Sequence, residues 1–387
     1  MLKSFLKNTL VVLASLIVAL IMVEGILWTL DTTGIVPIAD PTVESSDQYV
    51  FFRYDPVLGW NNQAGATGIF SRKDFKTGVH INSLEMREHR EFERSRDGRR
   101  RIAVTGDSFT WGHGVEESER YTNVAASLFG GGVEIMNFGV TGFGPVQYYL
   151  QLDKMLEFDP DVVLLGFCLG NDFHDNVVWR RYEHYYGPYG VLEDDKLKIA
   201  GYPIPNLKNF GGGRLAGSHL RAFVAGLRMS KLVSRTRKYR TAKHDGGDWP
   251  EQRGLLEFTS ESMYDPQNAF RDVASRINKA VLEEIKRKVD EKGVRLAVVV
   301  VPTKFEYSPQ KSGFDPRAAE RALLASLEEL GIDHVNGVDV LDGGDFFPDD
   351  GHWTAAGHAK LGRLLHNYLS QPEFTGAGSL PESHPNQ

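Results

Sequence analysis

RIAVTGDSFTWG, residues 101–112, joins a short apolar run to a polar turn that contains a serine. The run Arg101–Thr105 is apolar without strict alternation, which is typical of a parallel strand buried on both faces. The residues after it, Gly106–Gly112, lie where such a strand ends. Because ligands of open parallel sheets bind outside the carboxyl ends of the strands, this turn is a candidate site for chemistry.

Four further apolar runs repeat this pattern downstream. They are Val133–Phe138, Val162–Phe167, Val294–Val301 and the weaker Ile332–Val340. Helical patterns lie between and after them, at Pro145–Glu157, Asn268–Lys292, Pro316–Leu330 and Ala355–Leu369. This alternation of strands and helices predicts a three-layer α/β domain with a parallel sheet and right-handed crossovers.

The composition excludes several classes of protein. The chain has 387 residues, a net charge of −7 and 25% charged residues, which describes a globular chain and neither a disordered nor a polytopic membrane protein. A mildly acidic chain gives no reason to expect nucleic-acid binding. The single cysteine, Cys168, excludes an internal disulfide and a cysteine-based zinc site.

The N-terminus, residues 1–30, is the most apolar part of the chain. Thr9–Leu30 has 22 residues, of which 13 are Leu, Ile or Val, and a helix of that length covers about 33 Å. Their insertion free energy, about −4 to −8 kcal/mol, outweighs the ~+2.5 to +3.5 kcal/mol of Glu24. Lys3 and Lys7 precede the run, so we expect a single-pass inner-membrane anchor with the rest of the chain on the periplasmic side. A cleaved signal peptide is the alternative, although no small-x-small site closes the run.

The remaining chain divides by composition. Residues 31–97 are polar with short aromatic stretches, and we expect this juxtamembrane segment to pack on the core. The main domain is predicted over 98–370. An insertion of roughly a hundred residues, 173–267, interrupts the strand–helix pattern with Gly and Pro clusters, as lids and substrate-facing insertions do. Residues 371–387 form a polar tail that we expect to be disordered.

Four short motifs follow the predicted strands. Each alone is weak, because a serine after a strand often caps a helix, paired glycines mark turns and Asn-Asp is a common turn. The histidine of the last motif alone would indicate a helix start or a surface position. The motifs are Gly106-Asp107-Ser108-Phe109-Thr110-Trp111-Gly112, Asn137-Phe138-Gly139-Val140-Thr141-Gly142-Phe143-Gly144, Leu169-Gly170-Asn171-Asp172 and Phe347-Pro348-Asp349-Asp350-Gly351-His352-Trp353.

Together and in this order, the motifs resemble those of the SGNH (GDSL-type) hydrolase superfamily, and the upstream stretch Tyr54–Trp60 is similar to a membrane-anchored bacterial subgroup. The resemblance covers about 98–370 without the insertion. Leu169 departs from the usual Gly-x-Asn-Asp, and Phe109-Thr110 departs from the older Leu consensus, but neither replaces a reacting group. The resemblance implies a flavodoxin-like α/β/α fold and a site made of Ser108, Gly142, Asn171, Asp349 and His352.

These residue types fit nucleophilic catalysis. A serine hydroxyl becomes a nucleophile when an imidazole accepts its proton and a carboxylate orients that imidazole. The resemblance makes Ser108 the nucleophile, His352 the base and, by the family's Asp-x-x-His spacing, Asp349 the orienting acid. The adjacent Asp350 is the alternative. The N–H groups of Ser108 and Gly142, with the amide of Asn171, would stabilise the oxyanion.

Other catalytic and ligand-binding motifs are missing from the sequence. Gly106–Thr110 does not fit the Gly-x-Ser-x-Gly of α/β-hydrolases. His352 and His358 are six residues apart, which is not the spacing of a known metal motif, and neither His-Glu-x-x-His nor a phosphate-binding loop occurs. The sequence therefore implies no cofactor and no metal.

One segment carries a strong positive charge. Between Lys196 and His244 there are twelve Lys or Arg residues and no Asp or Glu. Arg221, Arg228 and Arg235 recur every seven residues, which would place them on one side of a helix. A solvated helix face is one interpretation of this basic segment. The other is an anionic partner on the outer side of the membrane, either an acidic polysaccharide or lipid head groups.

The predicted activity is hydrolysis of an ester of acetyl or another short acyl group, with a carbohydrate as one candidate for the alcohol part of the substrate. The carbohydrate follows only from the subgroup resemblance and the expected location. The alternative is an O-acyltransferase that uses the same triad in exopolysaccharide modification. Whether water reaches the acyl-enzyme distinguishes the two activities. A third candidate is a polysaccharide-assembly subunit that has lost activity, which the intact set of five residues disfavours.

Overall fold

The computed structural model describes residues 2–32, 43–45, 48–95, 98–181, 185–205, 260–307 and 313–375. Its helices are α1 (Leu2–Thr32), α2 (Ser108–Trp111), α3 (Tyr121–Leu128), α4 (Pro145–Leu156), α5 (Asp172–Asp175), α6 (Phe270–Asp290), α7 (Ala318–Leu330), α8 (Ala355–Leu369) and α9 (Pro372–Thr375). Its strands are β1 (Val43–Ser45), β2 (Phe52–Asp55), β3 (Gly59–Asn62), β4 (Thr67–Ser71), β5 (Lys76–His80), β6 (Arg100–Gly106), β7 (Val133–Asn137), β8 (Val162–Cys168), β9 (Arg180–Arg181), β10 (Tyr185–Tyr186), β11 (Tyr189–Glu193), β12 (Lys196–Ala200), β13 (Arg295–Val301) and β14 (Asp333–Asn336).

Five parallel strands form the central sheet, in the order β14-β13-β8-β6-β7. Every residue of β8 is buried, and only the first residue of β6 and of β13 is not. Strands covered on both faces need apolar side chains at successive positions, which explains the apolar runs in the sequence. The predicted parallel sheet is confirmed, and its order along the chain, 2-1-3-4-5, is the flavodoxin-like one.

The last strand is shorter than the sequence pattern indicates. β14 ends at Asn336, whereas the apolar pattern covers Ile332–Val340. The Asn336 Oδ1 accepts a hydrogen bond from the Val338 N–H (3.1 Å), and a one-turn 3₁₀ helix starts there. An asparagine that bonds the backbone two residues on favours a turn, so the chain leaves the sheet early.

Helices cover both faces of the sheet. On one face, Val281 of α6 and Leu323 of α7 share a buried apolar cluster with Val163 of β8. On the other face, Leu361 of α8 packs with Leu164, the next residue of β8. Successive side chains of a strand point to opposite faces, so β8 has one helix layer on each side. The described chain is therefore a mixed α/β fold of three layers.

Helix α1 contains the apolar segment Thr9–Leu30. Its described apolar side chains are exposed, including Leu10 at 70% and Ile21 at 66%. Within the part of the chain that the structure describes, no helix combines the length and the apolar character needed to cross a membrane. The predicted transmembrane helix is therefore not confirmed.

The segment before the sheet packs on the core over its described residues 48–95. Strands β2 and β3 form a hairpin, and β1, β4 and β5 form a second small sheet. Phe52 meets Trp111 edge to face at 6.1 Å between ring centroids, and Trp60 meets Phe143 at 5.9 Å. Because Trp111 is the last residue of α2, which follows β6, and Phe143 belongs to the turn after β7, this segment supports the edge of the sheet where those strands end.

The insertion contains local structure that the sequence pattern did not predict. Helix α5 and the hairpins β9–β10 and β11–β12 lie between 172 and 200, and the second hairpin lies against α6. No strand in the described parts of the insertion joins the central sheet. Residues 206–259, and with them most of the basic segment, lie outside the described residues. Lys196 and Lys198 belong to β12.

The predicted disordered tail begins with ordered structure. Pro372–Thr375 forms α9, in which Phe374 is buried and contacts Tyr368 with 4.4 Å between ring centroids. Packing of this buried aromatic side chain stabilises the turn. The expectation of disorder from 371 onward is wrong for these residues, while 376–387 lie outside the described part of the chain.

Candidate active site

Ser108 is the first residue of α2 and directly follows the β6–α2 turn. The Asp107 Oδ1 accepts the Phe109 N–H (3.0 Å) and so caps the helix. A Cβ at Gly106 would lie 2.1 Å from Thr110 Oγ1, so this turn requires glycine. Ser108 is only 8% exposed. It lies where β6 and its neighbour β8 end, at the point where the strand order of the sheet reverses.

His352 connects the serine to a carboxylate. Its Nε2 is 2.7 Å from Ser108 Oγ, and its Nδ1 hydrogen-bonds to Asp350 Oδ1. The adjacent residue Trp353 anchors this loop, because its Nε1 donates to the carbonyl of Pro302 (3.0 Å), just after β13. The structure thus brings Ser108 and His352 together from positions far apart in the chain.

The carboxylate that meets the imidazole is Asp350, which corrects the assignment of the orienting acid to Asp349. The Asp349 side chain is 52% exposed and pairs with Lys73, whereas the Asp350 side chain is 6% exposed. Asp74 Oδ2 accepts the N–H groups of both aspartates, at 2.7 and 2.9 Å, and Gly351 follows with φ of +85°. This tight turn directs the two carboxylates to different sides. The aspartate that contacts His352 therefore precedes it by two residues, in an Asp-x-His spacing.

A second histidine, His113, lies against the first. Its Nε2 is 3.3 Å from Asp350 Oδ2, and its ring stacks on that of His352 with 3.9 Å between centroids. Burial and the neighbouring His352 lower the pKa of His113 to about 3. Burial raises the pKa of Asp350, but the hydrogen bonds from the two histidines outweigh it and hold that pKa below its ordinary value. No predicted motif included His113. It directly follows the first motif, which ends at Gly112, and that position was the signal in the sequence.

Gly142 lies in the turn after β7 with φ of +77°, a conformation that favours glycine. Two side chains hold this turn. Trp60 Nε1 donates to the Thr141 carbonyl (2.9 Å), and Arg181 Nη1 donates to the Gly142 carbonyl (3.2 Å). Within the described residues, the N–H groups of Gly142 and Ser108 have no protein acceptor. Both are therefore available to a bound group.

Asn171 follows β8, and its side-chain amide is oriented by a carboxylate. The Asn171 Nδ2 donates to Asp175 Oδ2 (3.0 Å), and His174 Nδ1 lies 2.9 Å from Asp175 Oδ1. Burial raises the pKa of Asp175, but the charge of Arg181 and the hydrogen bonds from His174 and Asn171 lower it overall. An ionised Asp175 fixes one amide proton of Asn171 and leaves the other available.

These side chains share one cavity of about 490 Å³. Ser108, Gly142, Asn171 and His352 line it, together with His113 and Asp350, whereas Asp349 does not. The wall also includes charged, hydroxyl and aromatic side chains, among them Arg72, Glu261, Tyr264, Thr303 and Phe305. A cavity of this size with convergent polar groups can hold a small acyl group and part of the alcohol attached to it.

One group of possible metal ligands occurs in the described part of the chain. The ligand atoms of His113, Asp350 and His352 lie within 4.8 Å of one another. In the structure the two imidazoles hydrogen-bond to the same carboxylate, and His352 also bonds Ser108. This arrangement suits proton transfer, since each N–H has an acceptor.

Trp60→Phe tests the support of the Gly142 turn. The substitution keeps an aromatic ring but removes the donor to the buried Thr141 carbonyl, and an unpaired buried group costs about 1–3 kcal/mol. We expect the free energy of unfolding in urea to fall by that amount. Tyr149→Phe, on α4 and partly buried, is the control that should leave it nearly unchanged. Equal stabilities of the two variants would contradict this role of Trp60.

The fold and the site define a three-layer α/β protein with a Ser-His-Asp arrangement. Comparison with known proteins relates part of this chain to a family. A family model described as "SGNH hydrolase-like domain, acetyltransferase AlgX" matches residues 257–374. This range contains Asp350 and His352, while Ser108, Gly142 and Asn171 lie upstream of it. The match confirms the resemblance of the chain to the SGNH hydrolase superfamily.

Solved structures give matches of low identity, and no curated protein matches the chain. A GDSL-like lipase from Bacteroides thetaiotaomicron VPI-5482 is 10% identical over 72% of this chain and 91% of that chain, with a TM-score of 0.36. The acetyl xylan esterase AlAXEase is 12% identical over 70% and 99%, with a TM-score of 0.37. Est24, a carbohydrate acetylesterase from Sinorhizobium meliloti, is 12% identical over 70% and 99%, with a TM-score of 0.36.

Proposed function

We propose that the chain is an SGNH-type serine enzyme that transfers an acyl group, in the simplest case acetyl, from an ester by way of Ser108. The observation that carries the proposal is the continuous hydrogen-bonded chain from Ser108 Oγ through His352 to Asp350, at the wall of the cavity. The same chain of groups activates serine for acyl transfer on unrelated folds. The match to an SGNH family model supports the same chemistry.

The reaction has two halves that use the same groups. His352 Nε2 accepts the hydroxyl proton while Ser108 Oγ forms a bond to the ester carbonyl carbon, whose π electrons move to the carbonyl oxygen. His352 then donates this proton to the leaving alcohol oxygen as its bond to carbon breaks, which leaves an acyl-serine. A second hydroxyl reverses these steps. Asp350 holds the Nδ1–H of His352 and stabilises the imidazolium.

Three N–H groups are available to the oxyanion. They are the backbone N–H groups of Ser108 and Gly142, which have no acceptor in the described protein, and the second amide proton of Asn171. All three residues line the cavity. Donors fixed before the reaction stabilise developing charge without reorganisation, which is where much of the rate enhancement in acyl transfer arises.

Asn171→Ala tests the oxyanion site. Loss of one such donor should lower kcat about 10²- to 10³-fold, with a smaller change in KM, because the bond strengthens only as negative charge develops. Initial rates with p-nitrophenyl acetate measure both constants. Asn367→Ala, an exposed asparagine on α8, is the matched control and should keep wild-type kinetics. A wild-type kcat in Asn171→Ala would remove Asn171 from the oxyanion site.

The acyl acceptor distinguishes two forms of the proposal. With water as acceptor the protein is an ester hydrolase, and with a carbohydrate hydroxyl it is an O-acyltransferase. The second form has specific support, because the matching family model is named for the acetyltransferase AlgX. A polysaccharide-assembly subunit without activity would have no use for the bond between Ser108 and His352.

One experiment separates these forms. The full-length chain is incubated with p-nitrophenyl acetate, with and without oligosaccharide acceptors, beside Ser108→Ala. Serine-dependent release of p-nitrophenol and free acetate supports the hydrolase, whereas acetylated oligosaccharide that depends on Ser108 supports the transferase. Equal rates in the wild type and the variant would contradict both.

We also propose that helix α1 holds the chain at the inner membrane, with the α/β domain on the periplasmic side. The exposed apolar side chains of Leu10, Ile17 and Ile21 support this proposal, as do Lys3 and Lys7 before them. Release of the full-length chain from membranes by carbonate at high pH would contradict it.

The basic segment 196–244 is proposed to bind an anionic polysaccharide or lipid head groups, on the strength of its charge. Binding to an acidic polysaccharide that weakens with added salt is the expected result. Binding unaffected by neutralisation of Arg228, Arg235 and Arg237 would contradict it.

A further inference from the structure

Two histidines share one carboxylate at this site. His352 Nδ1 hydrogen-bonds to Asp350 Oδ1, and His113 Nε2 lies 3.3 Å from Asp350 Oδ2. The two rings stack with centroids 3.9 Å apart and planes 17° from parallel. Acyl transfer by a serine triad requires only His352, so the place of His113 needs its own explanation.

The tautomer of His113 follows from its partners. An ionised carboxylate only accepts hydrogen bonds, so Nε2 carries the proton. Nδ1 is then a bare acceptor, and it is buried with no hydrogen-bond partner among the described residues. A second proton on His113 would leave a buried N–H without an acceptor and place a cation beside Arg72 and His352, which face it together with Asp350. The ring of His113 is therefore neutral.

The ring is also held rigidly. His113 is 2% exposed, and Phe70 and Phe75 meet it edge to face, with 4.8 and 5.3 Å between centroids. Gly112 and Gly114 on either side both have φ of +86°. This turn directly follows the helix that begins with Ser108, so the position of His113 is tied to that of the nucleophile.

We propose that His113 is a positioning residue that orients His352, both through Asp350 and by ring stacking. Its N–H fixes Asp350 Oδ2, which keeps Oδ1 directed at His352 Nδ1. Its ring covers one face of His352 and restrains rotation of that imidazole away from Ser108. When His352 takes the serine proton, the imidazolium meets a neutral ring and not a second cation. This inference rests on the proposed function.

The test separates the two contributions of His113. His113→Phe keeps a ring for stacking and removes the donor to Asp350, whereas His113→Gln keeps an amide donor and removes the ring. With p-nitrophenyl acetate, we expect His113→Phe to lower kcat about tenfold with little change in KM. The acid limb of its pH profile of kcat/KM should move to higher pH. Asp350 Oδ2 then keeps only the more distant Arg72 Nη1 (3.5 Å) of its two described partners, so the carboxylate stabilises protonated His352 more strongly. His113→Gln should lower kcat and keep the wild-type acid limb.

The outcomes are distinguishable from misfolding and from failure of the proposed function. Thermal unfolding reports whether each variant folds, and His113→Asn, whose amide is too short to reach Asp350, provides a second variant without the donor and should show the same shift. A wild-type kcat and an unchanged acid limb in both His113→Phe and His113→Asn would overturn the inference. A shift of the acid limb in His113→Gln, which keeps a donor, would also overturn it. Equal activity of the wild type and Ser108→Ala would instead overturn the proposed function.

Discussion

Replacement of Ser108 by alanine should lower kcat for p-nitrophenyl acetate by about 10⁴- to 10⁶-fold. The reason is that the variant removes the hydroxyl oxygen that lies 2.7 Å from His352 Nε2, so no acyl-serine can form at this position. The oxyanion donors and the cavity remain, and they account for the residual rate above the uncatalysed reaction. Steady-state kinetics over a wide range of enzyme concentration measure the loss.

The control for this variant is another serine-to-alanine change. Ser127 lies exposed on α3, and its hydroxyl donates to the Val124 carbonyl (2.7 Å), so Ser127→Ala should keep wild-type kinetics. Near-wild-type thermal unfolding of Ser108→Ala would show that the fold survives. A reduction of only a few fold in the folded variant would contradict a nucleophilic role for Ser108.

Asp350→Asn should lower kcat about 10⁴-fold, as loss of the orienting charge does in serine triads. The amide that replaces the carboxylate can donate a hydrogen bond to Nδ1, which favours the tautomer that has its proton on Nε2 and cannot accept the serine proton. Because Asp350 also bonds His113 through its other oxygen, the single amide oxygen of the variant can accept from only one of the two histidines. Initial rates with p-nitrophenyl acetate at neutral pH give the result.

The neighbouring residue provides a matched control. Asp349→Asn makes the same chemical change one position earlier, on a side chain that is 52% exposed and pairs with Lys73 on the surface. Surface ion pairs contribute little, about 0–1 kcal/mol, so this variant should retain activity within about twofold and a nearly unchanged stability. A large loss in Asp349→Asn with an active Asp350→Asn would restore the Asp-x-x-His assignment.

The central sheet is predictable from the sequence because burial on both faces forces successive apolar side chains, as in β8. The helix α6 is found within two residues of its predicted ends, since its apolar residues recur with helical spacing. Shorter elements have no such signal. The two-residue strands β9 and β10 exist because they pack on the core, and no periodicity in their residues indicates them.

The details of the site depend on contacts that a sequence does not display. The choice between Asp349 and Asp350 is made by Asp74, which lies 275 residues before Asp349 and accepts the N–H groups of both. His113 lies 237 residues before Asp350. Motif spacing places a residue in the right loop, but the direction of its side chain is determined by a turn and by distant partners.

The most direct measurement is the identification of the acyl-enzyme. The full-length chain is mixed with p-nitrophenyl acetate, quenched in acid while product forms and digested, and the modified peptide is sequenced by mass spectrometry. We predict an acetyl group on Ser108 that is absent in Ser108→Ala and strongly reduced when His352 is replaced by alanine. An acetyl group on a different residue in the wild type, or rapid turnover with none on Ser108, would contradict this prediction.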